Sequence, residues 1–284
     1  MDTTLIPRAP IVLAHGLFGF ERIGLGRWTF ARYFRGIPEY LRSLGCRVAT
    51  TRVPAIARVS TRARRLAEAI DAAFPGERVH VFGHSMGGLD TRVLLSDASW
   101  TGRILSLTAI GTPHLGSTLA DFAALRAGRV YRLLDALGIE HGGFLDVRSR
   151  DARNLDLSLR PPAGVACFSV AGTPEPSDVC LPLRRLHEVL LEVEGPNDGL
   201  VSAASAEAFG KVLPRRPLDH LRQMNWLPPH HTDISSSVTP DPLPVPVHES
   251  LNPRTAAFYA ALVANLVEHG FAAETRSELV ATRA

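Results

Sequence analysis

Val79-His80-Val81-Phe82-Gly83-His84-Ser85-Met86-Gly87-Gly88-Leu89 is the stretch that decides the fold. Val79 to Phe82 is a short apolar run of strand type, and Gly88 to Leu95 is compatible with a helix. Between them, Gly83-His84-Ser85-Met86-Gly87 spells a nucleophile elbow. This strand-to-helix turn is so sharp that its middle residue takes strained backbone angles and lifts its Oγ into the open at the carboxyl end of a sheet. Glycines suit positions 83 and 87 because a Cβ there would collide with adjoining backbone. The Gly-x-Ser-x-Gly pattern alone arises by chance in a chain of this size, so the strand before it and the helix after it supply the specificity. The elbow predicts a nucleophilic Ser85 and hydrolysis through a covalent intermediate.

Outward from the elbow, short apolar runs alternate with longer helical patterns. Ile11 to Ala14, Cys46 to Thr50, Val79 to Phe82, Ile104 to Ile110 and Val165 to Ala171 read as strands, which predicts an α/β fold with a mostly parallel central sheet flanked by helices. Helices are expected over Ile37 to Leu44, closed by Gly45, and over Arg58 to Phe74, stopped by Pro75-Gly76. In the second, Val59, Ala63, Leu66, Ala67, Ile70 and Phe74 recur at helical spacing, so Arg62, Arg64, Arg65 and Asp71 are expected on a solvated face. Asn252-Pro253 supplies an N-cap and a first-turn proline for a helix from Arg254 to His269, with Ala257, Leu262, Val263 and Leu266 as its inward stripe. Residues beyond Gly270 read as a frayed tail.

The 284 residues, 45% of them hydrophobic, suffice for one large domain spanning 1–284. No run of about 18 uncharged apolar residues exists, so no spanning helix is expected. The first residues, Met1 to Arg8, lack both a basic region and a long apolar region, so they do not read as a signal peptide, and a cytoplasmic location is the expectation. Cys46, Cys167 and Cys180 form no Cys-x-x-Cys pair and leave one over, which argues against a disulfide scaffold or a zinc ribbon. A net charge of +3, spread along the chain, gives no indication of nucleic-acid binding.

A serine nucleophile needs a base, an acid to orient that base, and donors for the oxyanion. With an elbow, one donor is the N–H of the residue after the nucleophile, here Met86, and the other comes from the loop after an early strand. Ile11 to Ala14 runs into His15-Gly16-Leu17, where Gly16 permits a turn, His15 can brace it, and Leu17 N–H can face the oxyanion. The acid is expected at Asp198, in the loop Asn197-Asp198-Gly199 anchored by Leu200-Val201. Of the histidines that follow, His269 suits a helix end. His230 and His231 read as loop residues without a metal-binding spacing. His220 and His248 both remain as the base.

The chain resembles the bacterial true lipases of the Pseudomonas and Burkholderia type. The matching pieces are His15-Gly16-Leu17, the elbow with Gly88-Leu89, Ile110-Gly111-Thr112-Pro113-His114 with Gly116-Ser117, Ala120-Asp121-Phe122, Ala171-Gly172-Thr173, and Asn197 to Ser202 with Gly210 to Leu213, spread over residues 9–226. The resemblance implies an α/β-hydrolase fold with a helical cap or lid insertion. It also implies a catalytic histidine that opens a His-Leu segment, which selects His220. Two departures bear on cofactors. The family's calcium-binding aspartate, two residues past the histidine, is replaced by Arg222, a cation that cannot ligate another. The family's cysteine six residues past the acid is replaced by Ala204. The expectation is therefore no metal, no cofactor and no disulfide.

Residues 118–162 are rich in Leu, Ala, Phe and Tyr, with Phe122, Leu125, Val130, Leu133, Leu134 and Leu137 at helical spacing, and are expected to cap the site. An apolar cap favours acyl chains. The expected activity is hydrolysis of a carboxylic ester, triacylglycerol or similar, through an acyl-serine, with a small-molecule or lipid ester as substrate and a lipid–water interface as a possible setting. The same triad would serve a thioesterase, a hydroxyalkanoate-ester hydrolase or an acyltransferase. A hydrolase-fold binding protein without activity is the reading outside enzymes.

Overall fold

Buried strands and helices alternate along the chain as its apolar runs predict. The computed structural model describes residues 6–17, 23–25, 28–31, 33–126, 142–226 and 251–272. The strands are β1 (Ile11–Ala14), β2 (Ile23–Leu25), β3 (Trp28–Ala31), β4 (Val48–Thr50), β5 (Val79–His84), β6 (Ile104–Ile110), β7 (Ala166–Val170) and β8 (Lys211–Val212). The helices are α1 (Ile37–Ser43), α2 (Val59–Ala73), α3 (Met86–Leu94), α4 (Ala98–Thr101), α5 (Thr118–Arg126), α6 (Gly143–Asp146), α7 (Ser149–Ser158), α8 (Arg184–Val193), α9 (Ala203–Ala206) and α10 (Pro253–Leu266).

Six strands form one sheet in the order β4-β1-β5-β6-β7-β8, every pair parallel, and β2 and β3 form a separate antiparallel hairpin. The chain moves from β1 to β4 on one side, then crosses to β5 on the other. The crevice at the carboxyl ends of β1 and β5 is thus a topological switch point, the place where open parallel sheets bind ligands. Both loops singled out in the sequence, His15-Gly16-Leu17 and the elbow, leave the sheet there.

Side chains alternate across the sheet because successive strand residues point to opposite faces. Ile11, Leu13 and Phe82 join Ile37 and Leu41 of α1 and Phe258, Tyr259 and Leu262 of α10 in one core layer. Val12, Ala14, Val79 and Val81 join Ala63, Leu66 and Ile70 of α2 in the other. Helices thus cover both faces, and β1, β5, β6 and β7 are buried almost throughout.

Four expectations are corrected. Arg62 is not on a solvated face: it is fully buried, with Asp90 of α3 as its partner. The stripe of α10 is built by Phe258, Tyr259, Leu262, Val263 and Leu266, whereas Ala257 is exposed. The helix ends at Leu266 and passes into a wider turn, Val267–Phe271. The start of the tail is also tied down rather than frayed. Phe271 O accepts from Arg8 N at 2.9 Å, the Phe271 ring packs edge-on against His80, and Ala272 bridges to Pro7. Residues 273–284, with His230, His231 and His248, lie outside the described residues, as do Val130, Leu133, Leu134 and Leu137 of the expected cap. Among the described residues, no helix is long and apolar enough to cross a membrane. Cys46, Cys167 and Cys180 are free thiols, all buried.

Candidate active site

Ser85 sits at φ 55°, ψ −128° between β5 and α3, one of two described non-glycine residues with positive φ. Such a conformation persists only where the surroundings over-determine it. Ser85 N donates to Ile110 O at 2.8 Å, and Gly88 N to Ser85 O at 3.1 Å. A Cβ at Gly87 would come within 2.3 Å of Ala14 O, and one at Gly83 within 2.8 Å of the Gly88 backbone. The glycines therefore let α3 start against β1, as the sequence predicts.

The loop after β1 lies against the serine, since a Cβ on Gly16 would come within 2.6 Å of Ser85 Cβ and 3.0 Å of its Oγ. His15 braces this loop as expected. Its Nδ1–H donates to Gly16 O at 2.9 Å and its Nε2 accepts from Val53 N at 3.2 Å, which fixes the tautomer. The main brace is Arg62, which the sequence reading assigned to solvent. Its Nε donates to both Asp90 oxygens at 3.0 Å, its Nη1 to Pro54 O at 2.8 Å, and its Nη2 to His15 O at 2.6 Å and Gly16 O at 3.3 Å. With Gly16 C=O held inward by Arg62 and His15, the trans peptide turns Leu17 N–H the opposite way. Leu17 and Ser85 line the same cleft. A signal for Arg62 did exist: it lies three residues past Val59 and four before Leu66, on the apolar stripe itself.

The structure brings Asp198 and His220 together. His220 Nδ1–H donates to Asp198 Oδ2 at 2.7 Å, and both residues are buried. The other carboxylate oxygen accepts from Leu200 N at 3.0 Å and Val201 N at 2.8 Å, so an Asx turn fixes its aim. Val201 anchors the loop among Ala171, Ala203 and Ala206, and both it and Leu200 border the cleft. His220 and Ser85 line that cleft together. Tyr33, Gln223 and His84 are functional neighbours the sequence reading missed. Tyr33 Oη accepts from Gly16 N at 3.0 Å and lies 2.7 Å from His84 Nδ1, and the His84 ring centre is 4.5 Å from that of His220.

Arg222 and the adjacent Asp219 do not fit a cation. Arg222 Nη1 donates to Asp219 Oδ2 at 3.0 Å. Main-chain N–H groups of Leu221, Arg222 and Cys180 take up the rest of that carboxylate. Every contact of this acid is with a positive charge or a donor.

The cleft holds about 790 Å³ and is lined chiefly by apolar groups, with Ser85, Ser117, Tyr33 and His220 as its polar members. Leu119 and Phe122 of α5, Val147 after α6, and Leu186 and Val189 of α8 contribute to its walls. The described part of the segment after β6 therefore borders the site. It is fastened to the body: Asp146 accepts from Val59 N at 2.7 Å and Arg58 Nη1 at 3.1 Å, and Thr118 N donates to Glu194 Oε1 at 2.8 Å.

Burial holds several histidines neutral around this framework. It pushes His15 and His80 down to about 4, helped by Arg62 and Arg78 respectively, and holds His84 and His114 well below the usual range. In the unfolded chain each takes a proton near pH 6.5, so the stability they confer is complete above that pH and is lost as pH falls towards their folded values. Each contributes a slope of about 1.4 kcal/mol per pH unit across its window. Thermal unfolding between neutral pH and pH 4 is expected to show Tm falling steeply below pH 6.5, and a flat Tm there contradicts the assignment.

No family model matches the chain. Two relatives match most of it: triacylglycerol lipase 2 of Saccharomyces cerevisiae, 27% identical over 79% of this chain and 82% of that protein, and the triacylglycerol lipase of Vibrio cholerae, 29% identical over 78% and 80%. The Pseudomonas fragi triacylglycerol lipase is 36% identical over 43% of this chain and 40% of its own. Among solved structures, a metagenomic carboxyl esterase aligns with TM-score 0.67 at 18% identity, covering 90% of this chain and 75% of that one. The Staphylococcus hyicus lipase aligns with TM-score 0.65 at 17% identity over 92% and 96%.

Proposed function

From the premise that this chain is an α/β-hydrolase related to the triacylglycerol lipases, we propose that it cleaves acyl esters of lipid type with Ser85, Asp198 and His220 as its triad. The observation that carries this reading is the 2.7 Å bond from His220 Nδ1–H to Asp198 Oδ2, at the edge of an apolar cleft that Ser85 shares. That bond leaves His220 Nε2 free of a proton and able to accept one from Ser85 Oγ. Ser85 attacks the ester carbonyl, and the Leu17 and Met86 N–H groups receive the oxyanion. His220 then protonates the departing alcohol, and water, deprotonated by the same imidazole, releases the acid.

The apolar lining selects an acyl chain over a charged substrate because the cleft offers few polar groups to pair a charge. No step passes through a metal, and EDTA is expected to leave the rate unchanged. A p-nitrophenyl ester series from acetyl to palmitoyl, beside emulsified triglyceride and an acyl-thioester, tests the reading. Turnover is expected on the esters, rising from acetyl to medium chains as apolar contact with the cleft grows. Preference for the thioester, or acetyl as the best ester, contradicts it.

A further inference from the structure

Gln223 belongs to neither the nucleophile nor the oxyanion loop, yet the fold reserves a slot for it. It lies three residues past His220 in the 3-10 turn Arg222–Met224 and is 1% exposed. Its Nε2 donates to Asp198 Oδ2 at 3.0 Å and to Leu218 O at 3.3 Å. Two acceptors on that side fix the amide's orientation, since the flipped form would set Oε1 against a carboxylate and a carbonyl.

The walls of the slot are the backbone just past β6 and β7. A Cβ at Gly111 would come within 2.5 Å of Gln223 Oε1 and 2.8 Å of Asp198 Oδ2. One at Gly172 would come within 2.3 Å of Gln223 Nε2 and 3.0 Å of Asp198 Cβ. Two glycines from neighbouring strand ends thus leave room for one amide beside one carboxylate. His84 approaches the same amide without a bond of normal geometry.

We propose that Gln223 is a positioning residue for the triad acid, holding Asp198 ionised and aimed by donating to the oxygen that His220 uses. The inference rests on the triad reading above. Asp198 is 1% exposed, and a buried carboxylate stays charged only if donors surround it. Its donors among the described residues are Leu200 N, Val201 N, Gln223 Nε2 and His220 Nδ1. Gln223 is the one side chain among them that carries neither charge nor catalytic duty. Without it Oδ2 is more basic, and the Asp198–His220 pair binds a proton at higher pH, whichever partner carries it. Tyr33, His84 from β5, His187 from α8, and the Asp219–Arg222 pair also face the two residues; of these, His84 also approaches the amide at 223, and burial holds it neutral.

The test is the pH dependence of kcat/KM on one p-nitrophenyl ester, for the wild type, Gln223→Met and Gln223→Glu, with Ser85→Ala as control. Met fills the slot without a donor, so the acid limb is expected to rise by about one pH unit, with kcat falling more than KM changes. Glu adds a like charge beside Asp198 and is expected to move the limb further the same way. A role in packing alone would lower Tm and leave the limb in place. An unmoved acid limb in a folded variant overturns the proposal, and so does failure of both variants to fold, which would assign Gln223 to stability. Absence of wild-type hydrolysis, or its persistence in Ser85→Ala, would instead overturn the triad reading.

Discussion

Ser85→Ala is expected to lower kcat/KM for ester hydrolysis by about five to six orders of magnitude while leaving Tm within a degree or two of the wild type. Ser85 is held in the fold by main-chain bonds, its N–H donating to Ile110 O and its C=O accepting from Gly88 N, and alanine keeps both. The strain at φ 55° stays the same, because alanine carries the same Cβ. His220→Ala is expected to match that loss, since members of a triad act as one unit. The comparison of His220→Ala with His248→Ala decides the base. Near-normal hydrolysis in the first and loss in the second would displace His220 from the mechanism.

Arg62→Leu is expected to produce the second largest effect, on stability and rate together. Asp90 would be left buried without its partner, at a cost of about 3–5 kcal/mol. The His15 and Gly16 carbonyls would lose the guanidinium that holds them at 2.6 and 3.3 Å. The two consequences can be separated by the double replacement Arg62→Leu, Asp90→Leu. Apolar residues in place of a buried ion pair restore most of the stability, because no unpaired charge remains. The loop carbonyls still lack their donor, so kcat is expected to stay down by about 10²–10³, the cost of one misplaced oxyanion donor. Denaturant unfolding beside kcat/KM reads both quantities. Full recovery of the rate in the double variant would show that Arg62 serves stability alone.

The core of the site was legible in the sequence because its chemistry is local. The elbow is a five-residue word set between a strand and a helix, His15-Gly16-Leu17 directly follows a strand, and Asn197-Asp198-Gly199 is a turn whose acid could be read in place. All three stand at the carboxyl edge of the sheet. Base assignment was less local. His220 and His248 were equal on residue types alone, and the likeness to a lipase family chose between them. The bond from His220 to Asp198 then gave that choice a geometric basis.

What escaped the sequence reading was tertiary. The spacing of Arg62 puts it on the apolar stripe, yet a lone charge there looks costly until Asp90 arrives from another helix. Gln223 gave no signal of its own. Its role depends on Gly111 and Gly172, each more than fifty residues away along the chain, which the sheet brings to its two sides. In the inward stripe of α10, alanine at 257 suits either environment, and Phe258 and Tyr259 turn inward instead because they bury far more apolar surface.

Reaction of the folded protein with a fluorophosphonate probe, followed by intact mass and peptide mapping, tests the central claim most directly. Only a serine activated by its base and facing an oxyanion hole attacks such a phosphorus centre at a useful rate. One phosphonyl adduct per chain on Ser85, lost in Ser85→Ala and strongly slowed in His220→Ala, is the predicted result. A folded chain that takes no label, or takes it at another residue, would contradict the account.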